Sequence, residues 1–213
     1  MAASTKNQST TSGNPQAVKI VGIIAAVIVV LLLIAVVSGV IGNEEPGNEY
    51  GDPQVSGQLS LMPPNTRVDA SANGETAPTV IGQDFDDNEV PMESDGRAKA
   101  IGLLADWCPH CLDEVPAVQA WLDAGGGVEG VDMYSIATAM DSNRDNFPPS
   151  EWLDREGWTV PVIRDDSSNS IHAAYGSGGF PFWVFVNSDG TVAFRVAGAT
   201  TVEELELIMS ELN

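Results

Sequence analysis

The chain's two cysteines stand two residues apart, in the segment Trp107-Cys108-Pro109-His110-Cys111. This segment lies where an apolar, strand-like run ends and a helix-like run begins, so the fold has to place a strand-to-helix junction there. A cysteine pair at this spacing can cycle between dithiol and disulfide, and the two residues between the sulfurs help set which state is favoured. The pattern therefore predicts electron transfer between thiols.

Two other roles for such a pair stay open as alternatives. A structural zinc site needs four ligands, and only His110 and His172 could add an imidazole to the two cysteines. His110 is badly placed to share a metal with both cysteines because it lies between them. An inert disulfide staple gains little from closing so small a loop. We therefore predict no metal, and no cofactor other than the redox-active disulfide of Cys108 and Cys111.

A long apolar run near the N-terminus predicts a membrane anchor. The run extends from Ile20 to Ile41, carries no charged residue and is about as long as the core of a bilayer requires. We place the membrane-spanning helix at 18–41, behind a polar tail at 1–17 that is expected to be disordered. A cleaved signal peptide is the alternative, although the run is longer than the usual apolar region of such peptides.

The charges that flank this run predict its orientation. Lys6 and Lys19 precede it, whereas the first charged residues after it are acids. Because positively charged flanks stay in the cytoplasm, we expect a cytoplasmic N-terminus and an extracytoplasmic C-terminal domain, joined by a single pass through the cell membrane. Disulfides persist in that outer compartment, where thiol exchange would act on exported proteins.

The charge balance excludes one class of partner. The formal net charge is −21, and every acidic residue follows the apolar run. Such a surface repels nucleic acid and anionic lipid, so we predict no nucleic-acid partner. Selection of cationic partners is one interpretation of the acidity. Solubility, or adaptation to high salt, is the preferred one.

The region beyond the anchor divides into a linker and a domain. Residues 42–65 are rich in glycine, proline and acids and show no periodicity, which predicts an extended tether. The folded domain is expected at 66–213. Strand-like runs alternate in it with helical patterns, with Ser150 as the expected N-cap of the second helix. The strands are expected at Lys99–Ala105, Val131–Ala137, Thr159–Ile163, Phe182–Val186 and Thr191–Val196. The helices are expected at Cys111–Ala124, at Ser150–Gly157, in a stretch that Asp165-Asp166-Ser167-Ser168 caps and that runs through Tyr175, and at Val202–Leu212.

The order of these elements predicts an α/β domain. The turn Ser188-Asp189-Gly190 makes a hairpin of the last two strands. Strands that alternate with helices, followed by a hairpin and a terminal helix, form a central mixed sheet covered by helices on both faces. In such sheets the chemistry lies beyond the carboxyl ends of the strands, and the cysteine pair falls at such an end.

This order and the cysteine motif together resemble the thioredoxin fold, and more closely the membrane-tethered TlpA/ResA-like thiol-disulfide oxidoreductases. The resemblance covers the chain from about Ala77 to the C-terminus. Besides the cysteine motif and Pro116 in the helix that follows, it rests on Thr159-Val160-Pro161-Val162, Ala174-Tyr175-Gly176, Phe180-Pro181 and Asn187-Ser188-Asp189-Gly190. It implies an enzyme that exchanges thiols and disulfides with exported proteins, and a membrane redox partner that recycles the pair.

The resemblance also implies where partners bind. Pro181 is expected to follow a cis peptide bond after Phe180 and to pack beside the two sulfurs. The backbone before Pro181 is expected to pair with the incoming peptide. Phe180 departs from the smaller or β-branched residue that is common at this position, and an ordinary trans proline is the alternative for Pro181.

A further implied role concerns the proton of Cys111. Many thioredoxins carry a buried aspartate where this chain has Gly102. The TlpA/ResA-like branch often has a glutamate in a C-x-x-C-x-x-E-x-P pattern, and Glu114 fits it, so Glu114 is the candidate for moving this proton. A solvated helix residue is the alternative for Glu114, and Asp106 and Asp113 are weaker candidates for the same role.

The two cysteines are expected to differ in their chemistry. Cys108 should lie at the helix N-terminus with its sulfur exposed, where unpaired backbone N–H groups and the helix dipole favour a thiolate. It is then the nucleophile, and Cys111, which lies deeper, resolves the mixed disulfide. Trp107 is expected to shield one side of the pair and to contact partners.

The direction of electron flow stays open. The dipeptide Pro109-His110 resembles that of DsbA-like oxidants, and an imidazole beside the thiolate favours the reduced form and makes the disulfide more oxidising. The remainder of the domain resembles TlpA/ResA-like reductants, such as those that serve haem attachment to apocytochrome c. A non-catalytic tethered module that binds a metal or a protein is the alternative from another functional class. A thiol peroxidase is disfavoured because no threonine stands near Cys108.

Overall fold

The computed structural model describes residues 49–213. The predicted tail at 1–17, the predicted membrane anchor at 18–41 and the first part of the predicted tether lie outside the described residues. Within 49–213, no helix combines the length and the apolar character needed to cross a membrane.

Nine strands and four helices make up this part of the chain. The strands are Gln54–Ser56 (β1), Val68–Asp69 (β2), Thr79–Gln83 (β3), Glu89–Met92 (β4), Ala98–Leu104 (β5), Val131–Ala137 (β6), Val162–Arg164 (β7), Phe182–Val186 (β8) and Val192–Ala197 (β9). The helices are Pro109–Asp123 (α1), Pro149–Arg155 (α2), Ser170–Ala174 (α3) and Val202–Ser210 (α4). From β5 onward these elements lie within a few residues of their predicted bounds, whereas no strand was predicted at the positions of β1 to β4.

The main sheet is mixed, as predicted. Its strand order is β2-β9-β8-β5-β6-β7, and a smaller antiparallel sheet has the order β1-β3-β4. The central strand β5 runs parallel to β6 and antiparallel to β8, and all of its residues are buried. A strand that is covered on both faces reads as a continuous apolar run, which is why the sequence located β5 well. The cysteine motif follows the carboxyl end of β5.

Helices cover both faces of this sheet, which confirms the predicted α/β layering. On one face, Ile171 of α3 packs in a cluster with Ile101 of β5. On the other face, Val118 of α1 and Leu205 of α4 pack against Ala100. Neighbouring residues of β5 serve opposite faces because side chains alternate along a strand.

The predicted tether at 42–65 is wrong over the residues that the structure describes. β1 pairs with β3, and Leu59 and Met62 are buried in the main core cluster. The backbone N–H groups of Leu59 and Met62 donate to the carbonyls of Ala174 and Gly176. Composition suggested a solvated linker because the apolar residues are few, but each of these two inserts into the domain. Residues before 66 therefore belong to the folded domain, from the start of the described part at residue 49.

Helix starts were predicted unevenly. α4 begins after Thr201, whose hydroxyl accepts from the Glu204 N–H while the Glu204 carboxylate accepts from the Thr201 N–H, a complete capping box. The N-cap of α2 is Pro148, so the expected cap at Ser150 is wrong. Pro149 is the first residue of the helix and Ser150 is the second. The backbone N–H and the hydroxyl of Ser150 donate to the buried Glu49 carboxylate.

Candidate functional site

Cys108 occupies the junction between β5 and α1. It is the N-cap residue of α1, with an extended backbone, and its N–H donates to the Ala105 carbonyl at 3.1 Å. Both cysteines are free thiols in this structure. The expected exposure of the Cys108 sulfur is wrong, because Cys108 is 5% exposed. The cause is tertiary: the side chains of Trp107 and Phe180 pack against the cluster that contains Cys108.

Cys111 lies one turn further into the helix and is fully buried, at 0% exposure. Burial is the main cause that raises the pKa of the Cys111 thiol above its usual value, and the neighbouring Cys108 and Glu114 raise it further. A thiol in this environment keeps its proton at neutral pH. Cys111 therefore needs a proton acceptor before it can act as a nucleophile.

Phe180 and Pro181 lie against the nucleophilic cysteine. The peptide bond between them is cis, as expected. The Cys108 thiol donates to the Phe180 carbonyl oxygen at 3.5 Å, a normal length for a sulfur donor. The Phe180 ring meets Trp107 edge to face, with 5.9 Å between the ring centroids. The backbone before Pro181 thus borders the sulfur that a partner would have to reach.

The other residues of the motif form the rim of the site. Trp107 is held in place by its indole N–H, which donates to the Ala139 carbonyl at 2.6 Å. The guanidinium carbon of Arg144 lies 6.0 Å from the Trp107 ring centroid, within the range of a cation–π contact. Pro109 and His110 are exposed on the first turn of α1. The exposed imidazole is therefore accessible to a partner that approaches Cys108.

Glu114 is buried, so the solvated alternative for it is wrong. It is 5% exposed. The Trp183 indole N–H donates to Oε1 of Glu114 at 2.6 Å, and the Thr200 backbone N–H donates to Oε2 at 2.6 Å. Burial raises the pKa of Glu114 to about 7, although both hydrogen bonds act to lower it. A carboxyl with this pKa can take and release a proton near neutral pH.

The two weaker candidates separate clearly. Asp113 is exposed on α1, which leaves it outside the buried site. Asp106 is 1% exposed, and neither of its carboxylate oxygens has a hydrogen-bond partner of normal geometry among the described residues. Burial raises the pKa of Asp106 to about 6; the backbone N–H groups of Asp106 and Asp141 face the carboxylate and offset this in part.

Trp183 and Thr200 are the functional neighbours that the sequence did not reveal. Trp183 lies in the apolar strand β8, where a tryptophan is typical of a core position, and Thr200 acts through its backbone. The sole available signal was Gly102, an unusual glycine in the middle of a buried strand. A Cβ atom at position 102 would lie 2.9 Å from Cη2 of Trp183, so the glycine leaves room for the indole.

A metal ion would need ligands besides the cysteines. Within the described part of the chain, no group of three or more His, Cys, Asp or Glu side chains is arranged to hold one. His172, which the sequence offered as a possible ligand, packs its ring against Phe180 with 5.2 Å between centroids. The site holds two thiols, the buried carboxyl of Glu114 and the Phe180 carbonyl that accepts from Cys108, a set suited to thiol–disulfide exchange.

Comparisons with known proteins agree with this chemistry. No family model matches the sequence. The thiol-disulfide oxidoreductase ResA of Bacillus thuringiensis is 24% identical over 134 residues, which span 62% of this chain and 74% of that protein. The ResA protein of Geobacillus kaustophilus is 27% identical over 143 residues, or 66% of this chain and 78% of that protein.

Solved structures share the fold. A DsbF homologue from Corynebacterium diphtheriae superposes with a TM-score of 0.56 at 14% identity, covering 73% of this chain and 100% of that one. A thioredoxin-family thiol:disulfide interchange protein from Chlorobium tepidum gives a TM-score of 0.52 at 24% identity, covering 66% and 97%. StoA from Bacillus subtilis gives 0.51 at 19% identity, covering 61% and 94%. The resemblance to the thioredoxin fold is thereby confirmed.

Proposed function

We propose that this chain, which has the thioredoxin fold and is similar in sequence to ResA thiol-disulfide oxidoreductases, exchanges disulfides with exported proteins through Cys108 and Cys111. The observation that carries the proposal is the contact between the Cys108 sulfur and the carbonyl before the cis Pro181. A partner peptide that pairs with the backbone at Phe180 would bring its own sulfur close to Cys108.

The proposed reaction has two steps. The Cys108 thiolate attacks a partner disulfide, and one partner sulfur leaves as a thiolate while the other forms a mixed disulfide with Cys108. Glu114 then takes the proton of Cys111, and the Cys111 thiolate attacks the Cys108 sulfur. The Cys108–Cys111 disulfide forms and the second partner sulfur leaves, so the protein loses two electrons and the partner gains them. Read in reverse, the same steps donate a disulfide to the partner.

The location of this reaction is part of the proposal. The apolar run at 20–41, with Lys6 and Lys19 before it, supports a single-pass anchor that holds the domain outside the cytoplasm. The pair then has to be recycled by a separate membrane redox partner, since the predicted anchor contains no cysteine. No cofactor is required, because the disulfide itself carries the two electrons.

Substitution of the cysteines tests the mechanism. In the purified full-length chain, Cys108→Ser abolishes turnover of a disulfide-containing protein substrate, because the attacking sulfur is gone. Cys111→Ser instead accumulates the mixed disulfide with the substrate, which non-reducing electrophoresis detects as a covalent adduct. Turnover that persists in Cys108→Ser would contradict the proposal.

The reduction potential decides the direction. Equilibration of the pair with a glutathione or dithiothreitol series measures it. A value near about −120 mV indicates an oxidant in which the exposed His110 stabilises the dithiol, and one near about −270 mV indicates a thioredoxin-like reductant of the kind that serves cytochrome c maturation.

A further inference from the structure

The indole of Trp183 occupies space that is free because the residue facing it in the sheet is a glycine. Trp183 in β8 stands directly opposite Gly102 in β5, and the pair belongs to the central antiparallel ladder. A Cβ atom at position 102 would approach the indole to 2.9 Å, closer than packed carbon atoms come. The ring therefore lies over the glycine, and Trp183 is 1% exposed. This position brings its N–H to the buried Glu114 on α1.

The two contacts to Glu114 both favour its ionised form. An indole N–H and a backbone N–H can donate hydrogen bonds and cannot accept them. Trp183 donates to one carboxylate oxygen and Thr200 to the other, each at 2.6 Å. A proton placed on Glu114 would have to lie on an oxygen that already faces a donor. Loss of either donor therefore makes the carboxylate less favourable.

We propose that Trp183 is a positioning residue that holds the Glu114 carboxylate in place, and ionised, beside the Cys111 thiol. The proposal rests on the proposed function, in which Glu114 accepts the Cys111 proton. Besides filling the core, the indole donates to the buried Glu114 carboxylate a hydrogen bond of the kind that water donates to a carboxylate on the surface. Gly102 serves the same arrangement, because any larger residue would displace the ring.

The charges of Arg67 and Glu204 have opposite effects on the pKa of Glu114. Arg67, in the segment before β2, lowers the pKa of Glu114, and Glu204 of α4 raises it. Cys111 on the same helix is coupled to Glu114, because the carboxylate charge raises the pKa of the Cys111 thiol. Burial outweighs these effects and raises the pKa of Glu114 to about 7. The Trp183 N–H is thus one of two short-range contacts that keep this carboxyl able to act as a base at neutral pH.

The indole acts on one proton transfer. During resolution of the mixed disulfide, the proton of Cys111 passes to a carboxylate oxygen of Glu114, and the electron pair left on the Cys111 sulfur forms the new bond to Cys108. The partner thiolate that leaves takes up a proton, and Glu114 gives up its own proton, either to that thiolate or to water, which restores the carboxylate. A carboxyl that is already protonated cannot start this sequence.

Trp183→Phe tests the proposal, because it removes the N–H and keeps an aromatic ring. In the full-length chain, we expect the pH at which resolution of the mixed disulfide is half-maximal to rise by about one unit, with a rate at pH 7 about fivefold lower. Trp158→Phe is the matched control: its indole N–H donates to the neutral Ser135 hydroxyl at 2.9 Å, and its profile should match that of the wild type. An unshifted profile in Trp183→Phe overturns the proposal.

A double variant separates this proposal from the function on which it rests. In a Glu114→Gln background, Trp183→Phe should cause no further shift, since the group it acts on is gone. If Cys108→Ser abolishes turnover but Glu114→Gln leaves the profile unchanged, the proposed exchange reaction stands and the role of Trp183 fails. If Cys108→Ser remains active, the exchange reaction itself fails.

A measurement on the unsubstituted chain covers the case in which Trp183→Phe does not fold. The indole ¹H–¹⁵N resonance of Trp183 should move with pH at a midpoint near that of the Glu114 carboxyl carbon, because the two groups share a hydrogen bond. The Trp158 resonance should not move over the same range. A Trp183 resonance that is indifferent to the ionisation of Glu114 would overturn the proposal.

Discussion

Two buried carboxyls lie near the cysteine pair, and their surroundings differ sharply. Glu114 lies on α1, where the indole N–H of Trp183 in β8 and the backbone N–H of Thr200 before α4 donate to it. Asp106 lies at the carboxyl end of β5, and neither of its oxygens has a hydrogen-bond partner of normal geometry in 49–213. Burial raises both pKa values, to about 7 for Glu114 and to about 6 for Asp106. Both carboxyls are buried, but only Glu114 accepts hydrogen bonds of normal geometry from the described residues.

The difference indicates which features suit a buried carboxyl to accept a proton. Both oxygens of Glu114 accept a hydrogen bond, which fixes the orientation of its carboxyl group, and its charge raises the pKa of the Cys111 thiol. The strongest charge effects on Asp106 come from Asp141 and Glu49, both acids, which disfavour its ionisation. Ionisation of Asp106 in that setting costs stability. We infer that donors and position, rather than burial alone, select the proton acceptor.

The largest expected effect concerns rate. Glu114→Gln should slow resolution of the mixed disulfide at pH 7 by about a hundredfold, the usual scale for loss of a general base. Asp106→Asn should change the same rate by less than about twofold, since a residue that exchanges no proton adds nothing to this step. Rapid-mixing measurement of partner release from a preformed mixed disulfide gives both numbers. The reverse order of the two variants would assign the proton to Asp106.

The next effect is on stability and has a defined pH window. Because the pKa of Asp106 is raised from 3.8 unfolded to about 6 folded, the native state binds more protons between these values, and stability falls as pH rises through them. Asp106→Asn should remove this loss and raise the free energy of unfolding at pH 7 by about 3 kcal/mol, with little change below pH 4.

Urea unfolding across this pH range measures the effect in the full-length chain. Glu114→Gln provides the contrast, because its amide NH₂ must face one of the two N–H donors. It should therefore destabilise the protein by about 1–3 kcal/mol. If both variants changed the free energy of unfolding at pH 7 in the same direction, the two carboxyls would not differ in this way.

The smallest effect concerns the exposed Arg67, whose charge lowers the pKa of Glu114 from the surface. Arg67→Ala should raise the pH midpoint of the resolution rate by a few tenths of a unit at low ionic strength, because surface charges act weakly. High salt should remove the difference by screening. The stability window of Asp106 should stay where it is. A shift that survives high salt would mean that Arg67 acts through structure and not through charge.

The fold was largely predictable because its signals are local. The buried strand β5 shows as a continuous apolar run, and α4 carries its start signal in Thr201 and Glu204. The strand that ends at residue 56 was missed because Val55, Leu59 and Met62 are scattered among glycines and prolines. Their burial depends on contacts with Val80, Tyr175 and other distant residues of the core, which no local pattern contains.

The site was predictable in its chemistry and only partly in its geometry. The motif itself located Cys108 and Cys111, and the resemblance pointed to Pro181 and Glu114. The cover over Cys108 was missed because Phe180 lies 72 residues away along the chain and reaches the sulfur through the turn at the cis bond. The donors to Glu114 were missed for the same reason, since they come from β8 and from the segment before α4.

By itself, the sequence determined that two thiols stand at a strand-to-helix junction of an α/β domain, because covalent spacing and hydrophobic periodicity are properties of neighbouring residues. The cover over Cys108, the packing of residues 49–65 into the domain and the hydrogen bonds from Trp183 and Thr200 to Glu114 come from the tertiary structure alone. These outcomes depend on which distant segments pack together, and burial and hydrogen bonding set the proton affinity of a carboxyl far more than its place along the chain does.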